Sequence, residues 1–206
     1  YGEKLKVTWY TQSGGLETVK PLNEAVSLNY SLPDHDIKMS FLPTDFTQVN
    51  FELNQKMINL ALQLLDLNKE DEVIDLFCGL GNFTLPISRY VKTVVGIEGD
   101  SGLVERAKEN ASQNGVSNAS FYKADLFEDV SDFEWFRGKK YNKALIDPAR
   151  SGAIEIVELL PNPGKVPPLV IRRRGGAAAL ELRGKILYLV RRSDFNGDNW
   201  TVRTVP

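Results

Sequence analysis

The chain has 206 residues, 42% of them hydrophobic and 25% charged, with a formal net charge of -2, which suits one substantial α/β domain plus a small addition. No run approaches the length of a membrane span and no charged-then-apolar leader is present, so a soluble, cytoplasmic protein with no membrane partner is expected. The single cysteine, Cys78, excludes an internal disulfide and a cysteine-rich metal cluster within the chain, and no metal site is expected.

The sequence opens on Tyr1 rather than methionine and is therefore read as a fragment. Residues 1–43 read as short strands and turns: KLKVTWYT, the Ser13-Gly14-Gly15 turn, VSLNYSL and IKMSFLP. Alternation of Ile37, Met39 and Phe41 with Lys38 and Ser40 predicts a half-buried antiparallel strand. So small a β-rich segment cannot build its own core. It is expected to be a hairpin packed on the main domain, or the remnant of an upstream central domain. His35, among prolines and aspartates, is expected to be a solvated loop residue.

Leu53, Met57, Leu60, Ala61, Leu64 and Leu65 fall at helical spacing, with Asn50 or Asp45 as the cap. Val73 to Phe77 is a short apolar run around Asp75, without the polar alternation of a half-exposed strand, of the kind that forms a parallel strand buried on both faces. Gly79 and Gly81 follow, then a helix over about 82–90 and a second strand, Thr93 to Ile97, ending at Glu98. A carboxylate at the tip of the second strand, about 20 residues past a glycine turn, is where a doubly wound fold grips ribose hydroxyls. Cys78-Gly79-Leu80-Gly81-Asn82-Phe83 lacks the third glycine that accommodates a pyrophosphate, so a cofactor with a ribose and no phosphates fits better.

A further helix carries Leu103, Val104, Ala107 and Ala111 and stops at Asn114-Gly115. Ser120 to Ala124 reads as a third strand with Asp125 at its end. Residues 126–140 read as a loop or short helix. Asn142 to Ile146 reads as a fourth strand, ending in Asp147-Pro148-Ala149-Arg150, where the proline makes a rigid turn. Glu98, Asp125 and Asp147 thus fall on the rim where such sheets bind ligands. Charge then reverses: residues 1–160 hold 16 basic and 24 acidic residues, whereas 161–206 hold 9 and 3. A boundary near Pro161 follows, with 44–160 as the cofactor-binding core and 161–206 as an atypical basic segment. That segment reads either as an altered C-terminus or as a basic extension contacting RNA.

Asp45-Phe46-Thr47-Gln48-Val49-Asn50, Asp75-Leu76-Phe77-Cys78-Gly79-Leu80-Gly81-Asn82-Phe83-Thr84, Val95-Gly96-Ile97-Glu98-Gly99 and Leu145-Ile146-Asp147-Pro148-Ala149-Arg150, in that order, resemble the RNA uracil-5-methyltransferase family, closest to its bacterial 23S ribosomal RNA branch. The resemblance runs from about Phe41 to Leu160. It implies a class I S-adenosylmethionine (SAM)-dependent methyltransferase with a Rossmann-like, doubly wound sheet, acting on C5 of a uridine in ribosomal RNA. It also implies a SAM pocket lined by Gln48, Phe77, Asn82, Glu98, Asp125 and Asp147. Glu98 would take the ribose hydroxyls, Phe77 an apolar wall and Asp125 the adenine amino group. Gln48 and Asn82 would face the methionine end, and Asp147 would lie between methyl donor and base.

In the family a cysteine in an S-C-N-P segment adds to uracil C6, and a later glutamate removes the C5 proton. Here Lys185 to Val190 offers the strand but continues Arg191-Arg192-Ser193-Asp194, and no glutamate follows Glu181, so no catalytic residue is identified. Cys78 is expected to pack within the turn. The alternatives are a class I methyltransferase with another substrate, and a non-catalytic remnant that binds SAM or RNA.

Overall fold

The computed structural model describes residues 10–12, 16–18, 28–48, 50–139, 141–148, 168–174, 177–182, 185–190 and 201–205. Strands β1 (Tyr10–Gln12) and β2 (Leu16–Thr18) pair antiparallel, as do β3 (Leu28–Leu32) and β4 (Ile37–Phe41). The alternation in β4 holds, with Ile37 and Met39 buried and Lys38 exposed. The Ser13-Gly14-Gly15 turn and most of KLKVTWYT lie outside the described residues.

Helix α1 (Phe51–Leu65) is capped by Asn50, whose side chain accepts a hydrogen bond from the Leu53 amide at 2.9 Å. Asp45, the other candidate cap, instead accepts from the Leu42 amide and pairs with Arg106, 2.5 Å away. Met57, Ala61 and Leu65 are buried as their spacing predicts, and Ile58 and Leu62 join them. Strand β5 (Glu72–Leu76), helix α2 (Thr84–Ser88), β6 (Thr93–Glu98), helix α3 (Ser101–Gln113), β7 (Ala119–Lys123) and β8 (Lys143–Ile146) follow. Helix α2 is little more than one turn, shorter than the expected 82–90. Turns fill 126–139.

Strands β5, β6, β7 and β8 are mutually parallel, in the spatial order β8-β5-β6-β7. β9 (Pro168–Arg174) extends the sheet parallel to β8, and β10 (Ala177–Leu182), β11 (Lys185–Val190) and β12 (Thr201–Val205) add an antiparallel meander. This is the expected α/β sheet. Backbone strands from beyond Pro161 are part of it, although Pro161 itself lies outside the described residues. On the side away from β5, the neighbour of β8 is β9. β11, on which the sequence places the missing nucleophile, is three strand spacings from β8, roughly 14 Å.

Apolar residues sort by sheet face. Val73, Val94, Phe121 and Leu145 pack with α1, α2, α3 and the β3–β4 hairpin, through Tyr30, Leu32, Ile37 and Met39. Ile74, Leu76, Ile97, Ala144 and Ile146 face a second cluster closed by Leu126, Val130 and Trp135. In mid-β6 Gly96 is required by close approach: a Cβ there would lie 2.8 Å from Phe121 Cδ1 and 2.9 Å from Cys78 Sγ.

His35 corrects the expectation of a solvated loop residue. It ends a 3-10 turn that folds back onto α1, and its ring is buried. Asn59 Nδ2 donates to Asp34, so Asn59 Oδ1 accepts from His35 Nε2 at 2.8 Å. His35 Nδ1 is then left to accept from the Tyr90 hydroxyl at 3.2 Å.

Candidate cofactor site

The parallel register sets the ends of β5, β6, β7 and β8 side by side, because Leu76 lies opposite both Ile97 and Ile146, and Glu98 opposite Lys123. The chain leaves β5 through Phe77, at φ +64°, a conformation that a bulky side chain adopts only when its surroundings enforce it. The enforcement is visible: the Cys78 amide donates to Ile97 O at 3.0 Å, and the Asp147 amide to Leu76 O at 3.3 Å. Gly79 (φ +57°) and Gly81 (φ +93°) complete the turn, and a Cβ on Gly79 would meet nothing within 4 Å, so one side of the turn is open.

The predicted residues distribute around this turn. Phe77 is half-buried and its ring lies 5.9 Å from that of Phe127. Asn82 ends the turn with its amide hydrogen-bonded to Tyr30 and Asn54. Glu98 spans it: Oε2 accepts from the Gly79 amide at 3.0 Å, and Oε1 from the Gly99 and Asp100 amides at 2.8 and 3.1 Å. Those bonds hold the carboxylate at the strand end, and a ribose would have to share or replace them. Asp125 is exposed beyond β7, its Oδ1 accepting from the Phe127 amide at 3.0 Å. Asp147 follows β8, half-buried. Gln48 is half-buried in the coil ahead of α1, a stretch tied to α3 through Asp45 and Arg106. Ala149 and Arg150 lie outside the described residues.

Three residues to which the sequence reading gave no role, Asp75 and Thr84 within the second motif and Phe127 outside any, also bear on the site. Asp75 is wholly buried in β5 and accepts from the Thr84 hydroxyl at 2.5 Å, which ties the strand to α2 across the glycine turn. Its other oxygen has no hydrogen-bond partner among the described residues. Burial pushes its pKa up to about 8, the Thr84 hydrogen bond opposes this, and the charges of Asp147 and Glu98 add to it. Phe127, exposed beside Phe77, is the third. An acid inside an otherwise apolar strand was the available signal for Asp75. Nothing local marked Phe127.

A group protonated more readily folded than unfolded weakens the fold as pH rises from its unfolded pKa toward its folded one. Asp75→Asn should therefore gain stability over the parent progressively between about pH 4 and pH 8 and keep a constant advantage above that. Denaturant midpoints measured across that range check it. A difference that does not change with pH would mean that Asp75 is charged throughout.

Glu98 and Asp147 lie close enough to the buried Asp75 to help raise its pKa, and at the rim of an open glycine turn these two acids suit a ligand that carries positive charge and a ribose. No group of three or more potential metal ligands occurs among the described residues.

Comparison with known proteins bears on this geometry. The tRNA (Uracil-5-)-methyltransferase family model matches residues 18–161. A 23S rRNA (uracil(1939)-C(5))-methyltransferase RlmD of Vesicomyosocius okutanii is 67% identical over 162 residues, which is 79% of this chain and 37% of that protein. The namesake from Stenotrophomonas maltophilia strain R551-3 is 51% identical over 162 residues, 78% of this chain and 36% of that one. The chain thus spans little more than a third of the length of these relatives. Among solved structures, the Pyrococcus abyssi tRNA (uracil-54, C5)-methyltransferase in complex with S-adenosyl-L-homocysteine superposes with a TM-score of 0.56 at 19% identity, covering 70% of this chain and 34% of that one. A Methanobacterium thermoautotrophicum precorrin 8W decarboxylase superposes at 0.51 and 19%, covering 66% and 70%, so the fold by itself selects no reaction. The sequence match, whose residues 18–161 take in all four motifs, shows the family: the chain belongs to the tRNA (uracil-5-)-methyltransferase family.

Proposed function

We propose that the chain is the cofactor-binding part of a SAM-dependent RNA (uracil-5-)-methyltransferase whose substrate is a uridine in 23S ribosomal RNA, met in the cytoplasm. The observation that carries the reading is the Glu98 carboxylate at the end of β6, held against the open Gly79–Gly81 turn by the Gly79, Gly99 and Asp100 amides, with Asp147 at the end of β8, an acidic rim that suits a ribose-bearing ligand with positive charge. The names of the relatives support the substrate, and the family supports the position methylated. SAM, when bound, supplies an electrophilic methyl group. Glu98 would accept from the ribose hydroxyls, Phe77 would wall the adenosine, and Asp125 would accept from the adenine amino group. Gln48 and Asn82 would hold the methionine end, and Asp147 would stand toward the base.

Calorimetric titration with SAM and S-adenosylhomocysteine tests the reading. Glu98→Ala should weaken both by about 1–3 kcal/mol, because it removes the charged acceptor from the ribose. A thermal transition measured alongside separates this from lost backbone bonds at Gly79, Gly99 and Asp100. Affinity unchanged in a folded variant would remove Glu98 from the pocket.

The lone cysteine favours a second reading for the isolated polypeptide, binding without turnover, since Cys78 is buried in the cofactor turn. RNA titration, with and without a methylation readout, distinguishes the two.

A further inference from the structure

The Asn82 amide is held by two residues outside the motifs. The Tyr30 hydroxyl donates to Asn82 Oδ1 at 2.8 Å, Asn54 Nδ2 donates to the same oxygen at 2.8 Å, and Asn82 Nδ2 donates back to Asn54 Oδ1 at 2.9 Å. The two amides close a ring, and the oxygen of Asn82 has both lone pairs engaged. What Asn82 keeps for a ligand is one N–H. Asn54 is 1% exposed on the helix face that also buries Met57, Ile58 and Ala61, and Tyr30 is buried in the hairpin core, where burial raises its hydroxyl pKa. An amide in that apolar row is costly unless bonded, and Asn82 is the group it bonds.

We propose that Tyr30 and Asn54 are positioning residues for the cofactor turn: they fix Asn82 as a donor, matched to the carboxylate of the ligand's amino-acid end and not to its ammonium. The proposal rests on the reading of Asn82 as a cofactor residue. Through it the β3–β4 hairpin and α1 set the grip on one end of the ligand, while the nucleoside end is held from the opposite side of the turn by Glu98.

The test is calorimetric titration of the 206-residue chain with S-adenosylhomocysteine and with methylthioadenosine, which lacks the amino-acid end. Tyr30→Phe, Asn54→Ala and Asn82→Ala should each bind S-adenosylhomocysteine about fivefold to tenfold more weakly, and methylthioadenosine within about twofold of the parent. Tyr30→Phe should add no further loss on top of Asn82→Ala, since it acts through that side chain. Tyr30→Phe removes only a hydroxyl, so it decides the matter even if Asn54→Ala unfolds. Folded Tyr30→Phe with parental affinity, or equal losses for both ligands, overturns the proposal and leaves the cofactor reading standing. Failure of the parent chain to bind S-adenosylhomocysteine overturns both.

Discussion

Incubated with SAM and RNA carrying 5-fluorouridine, the 206-residue polypeptide is expected to form no adduct that survives denaturation. Uracil C5 is a weak nucleophile until a thiolate adds to C6, and removing such a nucleophile lowers turnover by on the order of 10⁴-fold or more. The one thiol available is Cys78. It is 5% exposed, its Sγ lies against the Gly79 carbonyl, and it fills the space that a Cβ on Gly96 would need. Burial pushes its pKa well above the ordinary thiol range, and the charges of Asp75 and Glu98 push it further, so thiolate is scarce near neutral pH. A denaturation-resistant complex that disappears in Cys78→Ser would show that Cys78 leaves this packed position to do chemistry.

Trp135→Ala is expected to destabilise the fold by about 3–5 kcal/mol, the range for deleting a large buried aromatic. Trp135 is 1% exposed and closes the cluster beneath Ile74, Leu76, Ile97 and Ile146, with Phe133 and Phe136 rings 5.7 and 5.8 Å away. The segment it anchors begins with Asp125 and Phe127, so cofactor affinity should fall with stability. Trp135→Phe should cost far less, because the indole N–H has no acceptor among the described residues and its loss relieves a desolvation penalty. Chemical denaturation of the two variants checks the contrast. Equal losses would mean that the indole N–H does have a partner.

The parallel core was legible because its strands are short apolar runs closed by polar residues, and both cofactor-side turns carry glycine or proline at the required places. Asn50 was legible as one of two candidate caps from its position before periodic apolar residues, and it accepts a bond from the amide three residues on; Asp100 does the same for α3 without having been read as a cap. His35 and Asp45 were misjudged or left undecided for one reason: their partners, Asn59, Tyr90 and Arg106, are remote in sequence, and pattern reading sees only neighbours. The rim positions of Glu98, Asp125 and Asp147 follow from strand ends and needed only parallel pairing. The support beneath them, Asp75 to Thr84 and Asn82 to Tyr30 and Asn54, did not follow. A motif names the residues that face a ligand, while the groups that aim them are chosen by packing between distant segments.

The β3–β4 hairpin belongs to the same buried cluster as α1, α2 and α3, and Arg89 fastens its turn through the carbonyls of His35 and Asp36 while also reaching that of Asn114. A border drawn where the first motif begins, at Asp45, would therefore cut through a packed interior. In evolutionary terms, a module that recombination can exchange whole has to include the hairpin from Leu28. Substitutions in the hairpin core are therefore expected to be tolerated only with compensating change in α1 and the cofactor turn.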